Sequence, residues 1–451
     1  MAGSTDSFRR VVERWVGQNP VPRGAVFLFV WILAAGACPA HGTPESVPAW
    51  IAADTTRPPS ITMDAGGLTV QSPGGDYALS LRGDVQVDGR FVVGDVPDSR
   101  SNTFAMRRVR PKLDVLLGGR HQIHLMANFA SGRATLQDAY VETRITDDLA
   151  VWVGQFKMPV GLEFIQSPNN LLLAERGYPT RLVPLRDVAA VATGRFFDDR
   201  LQVHAGILNG VADGTNGFGD LDAQKDVLGR LYLEPVRRAD VGVGVGLAGT
   251  AGVHTGTSSE PQLASFQSIA GQAVFGYRSS PDAGPVVRAD GVSCRIVPQL
   301  YAHVGPVGVL GEFVHSSQAV AAGEPGASGG EETLTNRSWQ IAASVVLTGE
   351  NATFGRLTPS QPLDPDRGQW GAVEVAGRVQ QIQIDDGTFP TFADPRTEAE
   401  RMTSATAGLN WYLDANVRLT LNYVVTQAET PAGRDLLSPE HLLLTRFQVA
   451  F

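Results

Sequence analysis

Between Lys157 and Asp187 the chain sets four cations, Lys157, Arg176, Arg181 and Arg186, against three carboxylates, Glu163, Glu175 and Asp187. A guanidinium keeps its charge and offers a planar fork of donors, which suits phosphate or carboxylate oxygens. The stretch Pro159–Val188 reads PVGLEFIQSPNNLLLAERGYPTRLVPLRDV and is too apolar for a freely solvated loop. Leu162, Phe164, Ile165 and Leu171–Leu173 need a surface to pack on, so this segment is expected to fold inward and carry its charges with it. Upstream, Arg108, Arg110 and Lys112 share one parity with Asp114, while Val109, Leu113, Val115 and Leu117 hold the other. Asp138, Glu142 and Arg144 repeat the polar parity on Leu136–Ile145. Lys157, Arg176, Arg181, Arg186, Arg108, Arg110 and Lys112 are therefore the candidates for a pore constriction that binds anions. The competing reading is a set of Arg–carboxylate ladders that only stiffen a wall.

Other chemistry finds no support. The eight histidines are scattered. His121 and His124 lie three apart near one strand and so face opposite ways, which does not assemble a metal site. The acid-rich Asp213–Asp226 lacks the spacing of a calcium loop and reads as a solvated extracellular loop. There is no nucleophile elbow and no HExxH, so neither catalysis nor a cofactor is expected. A net charge of -9 argues against nucleic acid as a partner.

The elements that must position the candidate cations are strands. From Tyr77 onward the period is 2 rather than 3.6. Tyr77, Leu79, Leu81, Val85, Val87 and Phe91 fall on one face of their segment, and Ser80, Arg82, Asp84, Gln86, Asp88 and Arg90 on the other. Val417–Val425, Thr403–Trp411 and Leu443–Phe451 repeat the pattern, and an uncertain segment lies near Ala270–Tyr277. About 16 to 18 such segments can be counted, near the ten-residue length of membrane-crossing strands. Short turns such as Phe197–Arg200 and Leu413–Asn416 alternate with long polar connections at Gly210–Asp226, Gln318–Ser338 and Asp385–Arg401. Only 18% of residues are charged, and just three of the 37 basic ones are lysine (Lys112, Lys157, Lys225), which is unlike a soluble surface. Aromatic residues toward strand ends, namely Phe91, Trp152, Phe156, Trp411, Tyr423 and Phe451, would form interfacial girdles. The expected fold is all-β, a transmembrane antiparallel barrel of about 16 strands with an inward-folded constriction loop. A soluble β-sandwich array is the alternative, but no linker divides the pattern into domain-sized units.

The segment before the strands is an address. Arg9, Arg10, Arg14 and Arg23 precede the apolar run Ala25–Ala35 and the small residues Gly36–Ala40. That order makes residues 1–40 a secretory signal peptide, leaving Cys294 as the only cysteine. Residues 41–76 are Pro-, Thr- and Gly-rich and form an N-terminal periplasmic segment, either a tail or a partial plug; 77–451 form the barrel. Phe451 closes the alternating series Leu443, Thr445, Phe447 and Val449. A terminal aromatic on such a strand resembles the signal read by the bacterial outer-membrane assembly machinery, which would be a partner together with outer-membrane lipid.

Five segments in order carry a resemblance: Phe104–Arg110 (FAMRRVR), Leu136–Val141 (LQDAYV), Val153–Pro159 (VGQFKMP), Asn209–Gly214 (NGVADG) and Lys225–Arg230 (KDVLGR). Together they resemble the phosphate-selective porin O and P family over about residues 75–451. The resemblance implies a 16-stranded homotrimeric porin in the outer membrane of a Gram-negative-type bacterium, passing small hydrophilic solutes, with anion-preferring members. A lysine cluster associated with phosphate selectivity has no counterpart among three lysines, so arginines would have to serve. The chain's negative net charge does not decide the matter, because a permeant ion responds to charges within about 8 to 10 Å.

Overall fold

The computed structural model describes residues 58–93, 102–130, 132–217, 219, 222–280, 284–323 and 331–451. Residues 1–40 and most of the acidic stretch Glu324–Glu332 lie outside them. The strands are β1 (Ser60–Asp64), β2 (Gly67–Gln71), β3 (Ala78–Val93), β4 (Thr103–Leu117), β5 (His121–Asn128), β6 (Thr135–Arg144) and β7 (Leu149–Lys157). They continue with β8 (Arg186–Phe196), β9 (Leu201–Leu208), β10 (Asp226–Arg237), β11 (Val241–Thr255), β12 (Phe266–Gln267), β13 (Ala273–Phe275) and β14 (Val287–Val304). The last are β15 (Val307–Ala322), β16 (Glu331–Val346), β17 (Ala372–Gln383), β18 (Arg401–Tyr412), β19 (Val417–Glu429) and β20 (Asp435–Ala450).

Every wall strand from β3 to β20 pairs antiparallel with its neighbour, and β20 pairs with β3 through Ala450↔Asp84 to His441↔Val93. This closes a 16-stranded barrel. Below Asp84 the free edge of β3 is taken by β2, which pairs Leu68–Gln71 with Leu81–Ala78. Residues 60–71 thus form a hairpin that prolongs the wall at its seam. Alternation sorts the two faces. Leu231, Leu247, Ile341, Val379 and Leu421 are exposed on the outside, while Asp88, Arg295, Gln340, Gln380 and Arg446 are buried inside. That is the polarity of a lipid-facing wall around a polar lumen.

Several local expectations differ. Ala270–Tyr277 is not a wall strand: Ala273–Phe275 pairs only with Phe266–Gln267, forming a small sheet of its own. Much of Gln318–Ser338 is strand, because β15 and β16 continue pairing to Ala321↔Glu331. Trp152 and Phe156 do not join an outer girdle. Trp152 packs on Tyr140, Phe156 and His204, with ring centroids at 5.7, 5.5 and 6.0 Å, and Phe156 is only 2% exposed. Tyr423, Phe447 and Phe451 remain on the outside. Residues 347–371, between β16 and β17, make a long connection at the end of the barrel where the other turns are short.

Gly154 in β7 has φ +130° and a Cβ there would lie 2.4 Å from the Ala139 carbonyl oxygen of β6. Only glycine relieves both constraints. Gly154→Val should destabilise the β6–β7 pairing by about 1–3 kcal/mol or more. The check is a lower temperature for loss of the fast-migrating folded band in heat-modifiability gels.

Candidate functional site

The chain leaves β7 at Lys157, crosses the lumen and returns to β8. On the way it forms one helical turn, α1 (Leu162–Ile165), and a 3-10 turn at Tyr178–Leu182. Its apolar side is fully covered: Leu162, Leu171, Leu173, Tyr178 and Leu182 are 1% exposed or less. Its backbone is held by side chains of the distant wall. The N–H groups of Leu162, Ala174 and Tyr178 donate to Glu312 (2.6 Å), Asn422 (2.8 Å) and Gln380 (2.8 Å). Asn410, Arg418 and Arg378 donate to the carbonyls of Leu172 (2.8 Å), Leu171 (3.0 Å) and Glu175 (2.9 Å), and Arg446 donates to that of Ala174. A loop inside a barrel has no sheet to pair with, so lumen side chains satisfy its backbone instead. At Gly177 the approach is so close that a Cβ would sit 1.9 Å from Gln340 Oε1. The expected inward fold of this loop is present.

Most carboxylates around the loop have cations of their own. Glu163 accepts from Gly177 N (2.6 Å), Gln340 (3.0 Å) and Arg378 (3.1 Å). Glu175 accepts from Arg107 at 2.8 and 3.0 Å and from Arg446 at 3.4 Å. Burial opposes its ionisation, yet Arg107, followed by Arg446 and Arg108, holds its carboxyl well below the usual range. Asp88 is bound by Arg446 at 2.7 Å through both oxygens, Asp84 faces Lys112 at 2.5 Å, and Asp138 accepts from Arg186 at 2.8 Å.

Four of the candidate cations bond instead to neutral oxygens among the described residues. Lys157 Nζ donates to the carbonyls of Phe164 and Gln166, both at 3.0 Å. Arg176 donates to the Glu163 carbonyl (3.1 Å) and the Gln166 carbonyl (2.8 Å). Arg108 donates to Gln86 Oε1 at 2.6 Å, and Arg110 reaches Gln137 Oε1 at 3.5 Å. The buried Nε of Arg108 and of Arg110 has no hydrogen-bond partner among the described residues. With Arg186 these groups form one cluster. Lys157 lies in the field of Arg176, Arg186 and Arg110, opposed by Asp138; Arg176 in that of Glu163 first, then of Arg186, Arg110 and Glu175; Arg108 in that of Arg107, Arg446, Glu175 and Arg110. Burial pushes Arg176 down to about 10, which still leaves it charged at neutral pH.

Of the seven candidates, Lys157, Arg176, Arg186, Arg108 and Arg110 come together. Arg181 instead spans to the backbone of β12 and beyond, donating to the carbonyls of Gln267 and Ser268, and stacks on Tyr178 with 5.1 Å between guanidinium and ring centre. Lys112 sits apart with Asp84. Arg107 was hidden from an alternation argument. The register slips between Gln86↔Arg108 and Val87↔Met106, and this bulge turns Arg107 toward Glu175. Adjacent Arg107 and Arg108, which strict alternation would place on opposite faces, are the one signal of it. Arg446, Arg378 and Glu312 were legible only as inward parity, since nothing in the sequence couples them to a loop far away.

Three further segments narrow the lumen. Residues 210–217 are not a solvated loop: Arg295 binds Asp213 at 2.6 Å, Gly214 N donates to the Val183 carbonyl at 3.0 Å and Gly217 N to the Arg186 carbonyl at 2.7 Å. They pack on the constriction loop, and among the described residues no carboxylate group is arranged to hold a metal. The β12–β13 hairpin reaches over the long-loop mouth to accept from Arg90 at the Ile269 carbonyl (2.5 Å). Residues 353–357 cross the short-turn mouth: Gln166 donates to the Phe354 carbonyl at 2.7 Å, and Arg356 donates to the carbonyls of Ala65 (2.8 Å) and Ala450 (3.0 Å). Between this segment and the constriction loop lies an open vestibule lined by Asn169, Asn170, Tyr301, Glu374 and Arg418.

Glu163→Ala removes the carboxylate that Arg378, itself 3% exposed, depends on. Breaking one side of a buried pair costs about 3–5 kcal/mol. The loop should lose its seat, and single-channel recordings should show larger and noisier conductance steps, with Glu163→Gln milder.

Similarity to known proteins agrees with this architecture. The profile described as phosphate-selective porin O and P matches residues 79–216 and 301–451. No curated protein matches the chain in sequence. The fold resembles the outer-membrane channel DcaP of Acinetobacter baumannii at 10% identity and TM-score 0.52, covering 84% of this chain and 99% of that one. It also resembles in-vitro folded OmpT, an outer membrane protein of Vibrio cholerae, at 10% identity and TM-score 0.50, covering 83% and 98%. With a closed barrel, an inward loop clamped to its wall and a family profile that spans well over half of its length, the chain belongs to the phosphate-selective porin O and P family and is a passive porin of the Gram-negative outer membrane.

Proposed function

We propose that this porin has a modest preference for small anions, set by the cluster of Lys157, Arg176, Arg186, Arg108 and Arg110. The observation that carries the reading is the hydrogen bonding of Lys157, Arg176, Arg108 and Arg110 to neutral oxygens. Glu163 and Glu175 are held by Arg378 and Arg107, so they offset the cluster less than their place in the same loop suggests. Counted along the loop, the excess is one charge; counted in space, it is larger. Selectivity in wide pores follows charges lining the narrow point. Inorganic phosphate and small carboxylates are the solutes this chemistry suits. The protein is a diffusion channel in this reading, with no catalytic role, and a homotrimer, as its family implies.

Reversal potentials in a KCl gradient test the first point. The wild type should favour chloride, and Arg110→Ala with Arg176→Ala should move the reversal potential toward zero. Arg181→Ala should leave it unchanged, because Arg181 serves as a strut to the Gln267 and Ser268 carbonyls. A cation-selective wild type, or an equal shift from Arg181→Ala, would overturn the assignment. Cross-linking or mass measurement in mild detergent should give three copies per particle; monomer alone would remove the trimer.

A further inference from the structure

Toward the short-turn mouth from the cation cluster, the lumen wall is lined with rings. Asp138, which holds Arg186, and Tyr140 share one face of β6 two residues apart, roughly 7 Å along the strand. Tyr140 stacks on His124, with centroids 4.4 Å apart and planes 17° from parallel. It also meets Phe156 at 5.3 Å and Trp152 at 5.7 Å. Trp152 in turn meets His204 edge to face at 6.0 Å. Rings on four different strands converge here, on an inner wall that elsewhere carries single rings such as Tyr232 and Tyr412. Tyr140 and Trp152 are half-buried rather than sealed in. Trp152 lines an open recess together with Glu142, Arg144, Asp147, Asp148, Thr193 and Arg195.

Packing alone does not account for the polar atoms of this wall. Trp152 Nε1, His124 Nε2 and His204 Nδ1 are all buried and have no hydrogen-bond partner among the described residues. Buried polar atoms in native proteins are satisfied as a rule, by protein or by ordered water, so these three mark a polar side to the ring wall. Inorganic phosphate would use the cations and leave the rings idle. A solute with a flat apolar ring and an anionic oxygen pair would use both.

We propose that this wall is a transit subsite for aromatic carboxylates, a reading that rests on the anion preference of the pore. The carboxylate is taken by Arg186 and Arg110, and the ring slides onto the exposed parts of Tyr140 and Trp152. Face and edge contacts between rings prefer centroid separations of about 4.5–7 Å, the range the resident rings already keep among themselves.

The test uses the mature full-length porin in planar bilayers, with benzoate, acetate and inorganic phosphate as probes and KCl carrying the current. Benzoate should reduce the chloride current at a concentration about tenfold below that needed for acetate or phosphate, two rings contributing. Trp152→Ala should weaken the benzoate effect about fivefold and leave acetate alone, while Trp152→Phe keeps most of it. Equal half-block concentrations for benzoate and acetate in the wild type overturn the subsite, and this comparison needs no variant to fold. A Trp152→Ala channel that shifts both probes equally overturns it as well. Reversal potentials on the same channels separate this result from the parent reading. Anion selectivity with no benzoate preference removes the subsite alone. Cation selectivity removes the anion reading, and a benzoate preference lost in Trp152→Ala would then still support the ring wall.

Discussion

In hydrocarbon an unpaired backbone N–H or C=O costs several kcal/mol, because no water is there to take it. This porin follows from that constraint. The sheet must have no open edge, and β20 closes on β3 over Asp84–Val93. Where β20 ends, β2 continues the pairing on Leu81–Ala78, and the Gly83 backbone bonds to that of Phe451 between them. A closed wall fixes alternation all the way round, and alternation in turn gathers the charged and amide side chains of sixteen strands into one lumen.

The lumen then poses the problem a second time. The loop between β7 and β8 has no strand to pair with, yet its backbone is buried. The wall answers with side chains: Glu312, Gln380, Asn422, Asn410, Arg418, Arg378 and Arg446 supply its partners. Arg378 and Arg446 act twice, since the same guanidinium that binds a loop carbonyl also binds Glu163 or Asp88. Anchoring and electrostatics are thus one device. By consuming the acidic groups in its own support, the far wall leaves Lys157, Arg176, Arg108 and Arg110 with neutral partners on the near side. A single buried ion pair contributes little to net stability; here the pairs set the position of the loop.

The mouths show the same logic applied to connections. Residues 210–217, the β12–β13 hairpin and residues 353–357 each lay backbone across the opening and are held by arginines, namely Arg295, Arg90 with Arg181, and Arg356. An arginine reaches two acceptors with one rigid fork, which explains why a chain so poor in lysine is not poor in cations.

What the sequence determined by itself was whatever depends on neighbours along the chain. Period-2 patterning in segments such as Tyr77–Phe91 and Val417–Val425 pointed to a barrel wall, and the apolar run in Pro159–Val188 pointed to a loop that turns inward. Parity alone put Arg108 and Arg110 on the polar face, and the ordered segments from Phe104 to Arg230 pointed to the family. Tertiary structure decided whatever depends on residues far apart. It set Arg378, more than 200 residues downstream, against Glu163, so that a carboxylate counted against the cations of its own loop is neutralised from elsewhere. Arg107 came inward through a bulge in the pairing with β3, and Arg181 went to the β12–β13 hairpin, whose second half is the segment near Ala270–Tyr277 that patterning left uncertain. Trp152 and Phe156, expected at the lipid interface, were stacked in the lumen instead. Alternation says which side chains share a face; only the closed wall says which faces meet, and a charge acts through its distance to other charges in space.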